Sequence, residues 1–182
     1  MSRSDPTAFT LPAALRLQGF TLRPERDTDT FFLMQLYAST RTEDMALVPD
    51  WTAQQKRAFL VSQFNAQRIH YRTYFAGCAF DVLEFSGEPV GRLYLDVRPS
   101  SLHIVDIALL PDWCGKGIGS AILSALMAAA RTQGKRVGIF VERYNPALRL
   151  YRRLGFTEIA DHGVYLEMEW CADTAQGQLK MA

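Results

Sequence analysis

The stretch His103–Gly134, HIVDIALLPDWCGKGIGSAILSALMAAARTQG, decides the fold. His103 to Leu110 is β-branched and apolar around one acid, Asp106, which predicts a buried strand. Pro111 and Asp112 end it, because proline cannot donate to a ladder. Gly115, Gly117 and Gly119 then alternate around Lys116. From Ile118 the period turns helical. Ile118, Ile122, Ala125, Leu126 and Ala129 fall on one apolar face, and Gly134 suits the C′ position that stops the helix.

A strand, a glycine turn and a helix N-terminus together favour an anion. The first helical turn has unpaired N–H groups and the positive end of the macrodipole. Glycines let those amides approach a phosphate closely. A tight turn that binds nothing is the plain alternative. Two familiar cradles are excluded by spacing: Lys116 is followed by Gly117, not Ser or Thr as a Walker loop requires, and the third glycine comes too early for a dinucleotide fingerprint.

The remaining pattern resembles the pyrophosphate loop of the GNAT superfamily, the acetyl-CoA-dependent N-acyltransferases, written Arg/Gln-x-x-Gly-x-Gly/Ala. Cys114-Gly115-Lys116-Gly117-Ile118-Gly119 matches it at both later positions and departs at the first, where Cys114 stands. The resemblance implies that Cys114, Gly115, Lys116, Gly117, Ile118, Gly119 and Ser120 cradle the pyrophosphate. It also implies that Leu109 and Leu110 pair with the pantetheine arm through their backbone, where a bulge splays their strand from the next parallel one.

A second constellation lies at Val141–Phe156, VERYNPALRLYRRLGF. Asn145 is a good N-cap, Pro146 suits N1, and Gly155-Phe156 suits a Schellman stop, so a helix over Asn145–Leu154 is expected. The segment also resembles the GNAT signature through Asn145, Leu150, Tyr151, Gly155 and Phe156, with the alanine placed early at Ala147. The resemblance gives Asn145 a bond to pantetheine and makes Tyr151 the general acid that protonates the leaving thiolate. A half-buried structural tyrosine is the bland alternative. For the base, His103 is preferred over Asp106 and Glu142. Strand alternation puts His103 and Asp106 on opposite faces unless a bulge intervenes.

Elsewhere the chain predicts a strand at Gly19–Arg23, a helix over Phe31–Ala38, a loop over Thr40–Asp50 and a helix from Thr52 to about Gln67. Strands follow at Thr73–Phe85, Val90–Val97 and from Leu102, an antiparallel meander. Val137–Val141 is expected to be buried on both faces, and Phe156–Ala160 with Val164–Trp170 close the sheet. The order is β-α-α-β-β-β-α-β-α-β-β: a single-domain, GNAT-like α/β (α+β) fold, with a mixed, mostly antiparallel sheet of about seven strands and helices on both faces. Residues 1–18 are expected to be a tail, 19–171 the acetyltransferase domain and 172–182 a second tail.

The chain of 182 residues carries a net charge of +1, so no bulk field draws it to nucleic acid. No apolar run suits a membrane span and no secretory signal is evident at the N-terminus. Cys78, Cys114 and Cys171 are too scattered for a disulfide framework, and no metal site is expected, which suggests a reduced, cytoplasmic protein. The expected activity is transfer of acetyl from acetyl-CoA to a primary amine of a small molecule or peptide. The acceptor site is placed between the first two helices and the mouth of the sheet, because the interhelical loop carries Glu43, Asp44 and Asp50 with Tyr37 and Trp51 nearby; a solvated loop is the equal alternative. A homodimer is possible. The alternatives are a catalytically inactive CoA-binding module and an unrelated phosphate-binding fold.

Overall fold

The computed structural model describes residues 9–172. The strands are β1 (Phe20–Pro24), β2 (Ala79–Phe85), β3 (Glu88–Val97), β4 (Ser101–Leu109), β5 (Arg136–Glu142), β6 (Thr157–His162) and β7 (Tyr165–Trp170). They form one mixed sheet in the order β1-β2-β3-β4-β5-β7-β6, antiparallel except for β4 beside β5. The helices are α1 (Ala13–Leu17), α2 (Thr30–Ser39), α3 (Thr42–Ala46), α4 (Ala53–Tyr74), α5 (Ile118–Thr132) and α6 (Leu148–Arg153). Among the described residues, no helix is long and apolar enough to cross a membrane.

The sheet separates two apolar layers. On one face Leu15 of α1, Ile122, Leu123 and Leu126 of α5 and Leu148 of α6 pack on Leu93, Ile104 and Ile139. On the other, Leu33 and Tyr37 of α2 and Phe64 of α4 pack on Val82 of β2. The predicted element order holds, with α1 and α3 added to it. Residues 9–18, expected within the tail, instead bury Phe9, Leu11 and Leu15 in the first core. The rest of both expected tails, 1–8 and 173–182, lies outside the described residues.

Local chemistry explains most boundaries. Thr52 Oγ1 accepts from Gln55 N–H at 3.2 Å and Gln55 Oε1 accepts from Thr52 N–H at 2.8 Å, a capping box that starts α4. At the end of α5, Lys135 N–H donates to Ala130 C=O at 2.9 Å, with Gly134 at C′ as expected. Phe156 N–H donates to Tyr151 C=O and Gly155 N–H to Arg152 C=O, both at 3.0 Å, which is the Schellman pattern ending α6.

Three boundaries differ from expectation. α4 runs to Tyr74, over a segment read as the start of a strand. Its last turns are held by tertiary partners: Tyr71 Oη donates to Asp106 at 2.9 Å, and Arg72 pairs with Glu25 at 2.9 Å and lies over the Phe80 ring. α6 begins at Leu148, not Asn145. Asn145 Oδ1 still accepts from Ala147 N–H at 2.9 Å, so the side chain caps a turn that leads into the helix. β5 alternates rather than being buried on both faces, and Phe140 is 43% exposed because it faces an open cleft.

Candidate active site

The site begins with a register slip. Tyr94 of β3 pairs with Asp106 and Leu95 pairs with Ile104, so Val105 is an extra residue in β4. On the far side, β4 pairs with β5 only from Ser101–Arg136 to Ile104–Ile139. Beyond the bulge the two strands part, and backbone groups of β4 face an opening instead of a ladder. Gly91 lets β3 stay close to β4 at this point: a Cβ there would lie 2.5 Å from Ala108 O and 2.7 Å from Leu109 Cδ2.

The parted strands enclose a slot of about 160 Å³ lined by Asp106, Ala108, Val141, Glu142, Asn145 and Tyr151. Tyr151 is 4% exposed and meets Phe156 edge to face at 5.7 Å. Burial, with Asp106 adding its charge, pushes its phenol above the usual tyrosine range, so it remains an O–H donor at neutral pH.

A buried polar network flanks the slot. Arg92 donates to Asp106 at 2.7 Å and to Gln67 at 3.0 Å, and Tyr71 adds its bond to the same carboxylate oxygen. Arg41 reaches from the start of α3 to Glu142 at 2.8 Å and to Asp44 at 3.4 Å. Arg41 Nε and Arg92 Nε are buried donors with no hydrogen-bond partner among the described residues, and both residues line the slot. Sequence reading overlooked Arg41, Gln67, Tyr71 and Arg92. Arg92 had a visible signal, since a cation within the apolar run of β3 needs an anion, and Asp106 is an anion within the apolar run of β4.

The turn after β4 presents the predicted loop. Leu110 N–H donates to Val90 C=O at 2.9 Å, and Pro111–Trp113 make a single 3₁₀ turn. Cys114 Sγ turns back to the carbonyls of Leu109 and Leu110 at 3.6 and 3.5 Å, and burial raises its pKa, so it is not an activated thiolate. Gly115 and Gly117 hold φ of +73° and +81°, which disfavour a side chain, and a Cβ on either would meet no atom within 4 Å. The first bond of α5 runs from Ala121 N–H to Gly117 C=O at 2.9 Å, leaving the amides of Ile118, Gly119 and Ser120 as the open helix start. Lys116 lies over the Trp113 ring at 5.2 Å.

Across the same face lies a cleft of about 1020 Å³ between α3, α4 and the sheet. Of the residues expected around an acceptor, Tyr37, Asp44 and Trp51 line it; Glu43 and Asp50 are not among its walls. His103 lines the cleft but not the slot. It stacks on Phe75 at 6.0 Å and meets Phe140 at 5.5 Å, and burial with Arg98 nearby lowers its pKa to about 4. Arg41, Tyr71, Phe140, Glu142 and Tyr165 are among the residues that line both cavities and mark where they join.

Residues 70–158 match the family model described as an acetyltransferase (GNAT) domain. Residues 70–158 are a GNAT-superfamily domain. The chain with this GNAT domain is 33% identical over 105 residues to an N-alpha-acetyltransferase of Sulfurisphaera tokodaii, covering 50% of the chain and 62% of that protein. It is 35% identical over 88 residues to an uncharacterized N-acetyltransferase of Methanocaldococcus jannaschii, covering 43% and 39% respectively. The matches thus span less than two thirds of these curated relatives. The GNAT fold is also seen in PaiA N-acetyltransferase from Thermoplasma acidophilum, solved in complex with coenzyme A (TM-score 0.61, 14% identity, 84% of this chain and 98% of that one). A further neighbour is the ribosomal-protein-S18-alanine N-acetyltransferase of Escherichia coli (TM-score 0.54, 18% identity, 84% and 93%).

Proposed function

We propose that this chain is an acetyl-CoA-dependent N-acetyltransferase that moves acetyl directly onto a primary amine of a small molecule or peptide. The observation that carries the reading is the opened β4–β5 seam, which has a glycine-turned helix start beyond one end of β4 and Tyr151 in its wall. The residues suit the group. Space above Gly115 and Gly117 is open, and Arg41 and Arg92 offer orphaned buried donors beside the slot. Backbone groups of Leu109 and Leu110, Asn145, and the loop Cys114, Gly115, Lys116, Gly117, Ile118, Gly119 and Ser120 would hold the co-substrate.

Acetyl-CoA, when bound, supplies an acetyl thioester. The acceptor nitrogen, freed of one proton, forms the C–N bond to the acetyl carbon as the C–S bond breaks. Tyr151 gives its proton to the departing sulfur, and the nitrogen gives up its second proton, which restores the phenol through solvent. One proton is released overall from an ammonium acceptor. We assign receipt of the first proton to Glu142 rather than to His103. Glu142 stands where cleft and slot join and its charge draws an ammonium, whereas His103 is a weakly basic wall of the cleft.

Calorimetric titration of acetyl-CoA into wild type and Gly117→Glu tests the reading, followed by thiol release with amines and peptides. Binding that the variant abolishes, with turnover, is expected. No binding to wild type refutes the reading. Binding without turnover of any acceptor favours the inactive CoA module.

A further inference from the structure

The large cleft says what kind of amine fits. Its walls are mostly rings and aliphatic side chains, with Trp51, Phe59, Phe75 and Phe140 among them and Met45 and Val48 at the α3 end. Its formally charged walls are Asp44, Glu142 and Arg41, a balance of −1 with the histidines taken as neutral. Both carboxylates already share the one guanidinium, which also lies over the Tyr37 ring at 5.4 Å.

We propose that the acceptor is a monocationic amine with a bulky aromatic or apolar body and no carboxylate beside the nitrogen, selected by Glu142 and Asp44 for charge and by Phe140 for bulk. The proposal rests on the acetyltransferase reading above. A single ammonium brings the lining to neutrality and meets the negative faces of the rings. A zwitterion leaves the imbalance and sets its carboxylate against two acids. A polyamine overshoots and meets Arg41 with its second charge. A peptide carries a run of backbone amides that need partners, and the α4 wall meets them with side chains such as Gln63 and Gln67 and no free backbone, because a helix satisfies its own. The volume of about 1020 Å³ accommodates a drug-sized body and is poorly filled by a short alkylamine.

The test measures kcat/KM by thiol release for phenylethylamine, phenylalanine, ethylamine, spermidine and a short peptide beginning with Phe. Phenylethylamine is expected to lead each of the others by at least about tenfold. Equal or better use of phenylalanine, spermidine or the peptide overturns the proposal. Glu142→Gln removes one negative wall, so the phenylethylamine-to-phenylalanine ratio is expected to fall by about tenfold. Asp44→Asn, on the exposed α3 helix, moves the same ratio in the same direction without touching the slot. Phe140→Ala, at a half-exposed position, is expected to lower the phenylethylamine-to-ethylamine ratio by about tenfold. Unchanged ratios in these variants overturn the proposal. Failure of the acetyltransferase reading shows separately, as absence of acetyl-CoA binding to the wild type.

Discussion

His103 and Asp106 face the same side of β4, because Val105 is an extra residue between them. Their partners on β3, Asp96 and Tyr94, are two apart and so share a face. Regular alternation would have turned Asp106 into the apolar layer under α5. The bulge instead delivers it to Arg92 and Tyr71, beside the slot.

Breaking that delivery is costly. Arg92→Met leaves the Asp106 carboxylate buried with only Tyr71, and the expected loss is about 3–5 kcal/mol in urea unfolding. The double variant Arg92→Met/Asp106→Leu is expected to recover much of it, since no buried charge then lacks a partner. Equal losses in single and double variants would show that shape, not charge, dominates there.

Tyr151→Phe keeps the ring against Phe156 and removes only the O–H. The expected result is a kcat lowered about 100-fold with acetyl-CoA affinity within about twofold of wild type. Single-turnover thiol release and calorimetry separate the two quantities.

Gly91→Ala forces β3 away from β4, because the added Cβ would meet Ala108 O at 2.5 Å. A cost of about 1–3 kcal/mol is expected from the overpacking. Acetyl-CoA affinity should drop as well, since the displaced backbone is the one proposed to pair with pantetheine. A drop in stability with affinity intact would place that pairing elsewhere.

His103 makes the fold sensitive to acid. Its pKa is about 4 in the folded chain against about 6.5 unfolded, so below pH 6.5 the unfolded chain binds a proton that the folded chain refuses. Stability from this group is therefore intact at neutral pH and falls as pH drops from about 6.5 to about 4, by up to about 3 kcal/mol. His103→Phe should flatten that part of the denaturation profile while leaving a ring against Phe75. An unchanged slope would move the acid sensitivity to other groups.

The sequence by itself determined what short-range rules govern. The alternating glycines, the C′ glycines Gly134 and Gly155 and the period change at Ile118 each act within a few residues, and each appears in the structure where the chain placed it. The fold class followed, because these signals fix which segments are strands and in what order they come. Tertiary structure decided the rest. The extension of α4 to Tyr74 depends on Asp106, Glu25 and Phe80, all distant in sequence. The bulge at Val105 exists only relative to β3. The meeting of Arg41 with Glu142 joins residues far apart along the chain, and the size and charge of the cleft exist only where α3, α4 and the open end of the sheet face one another. Such features depend on register and approach between elements, and no local pattern encodes them.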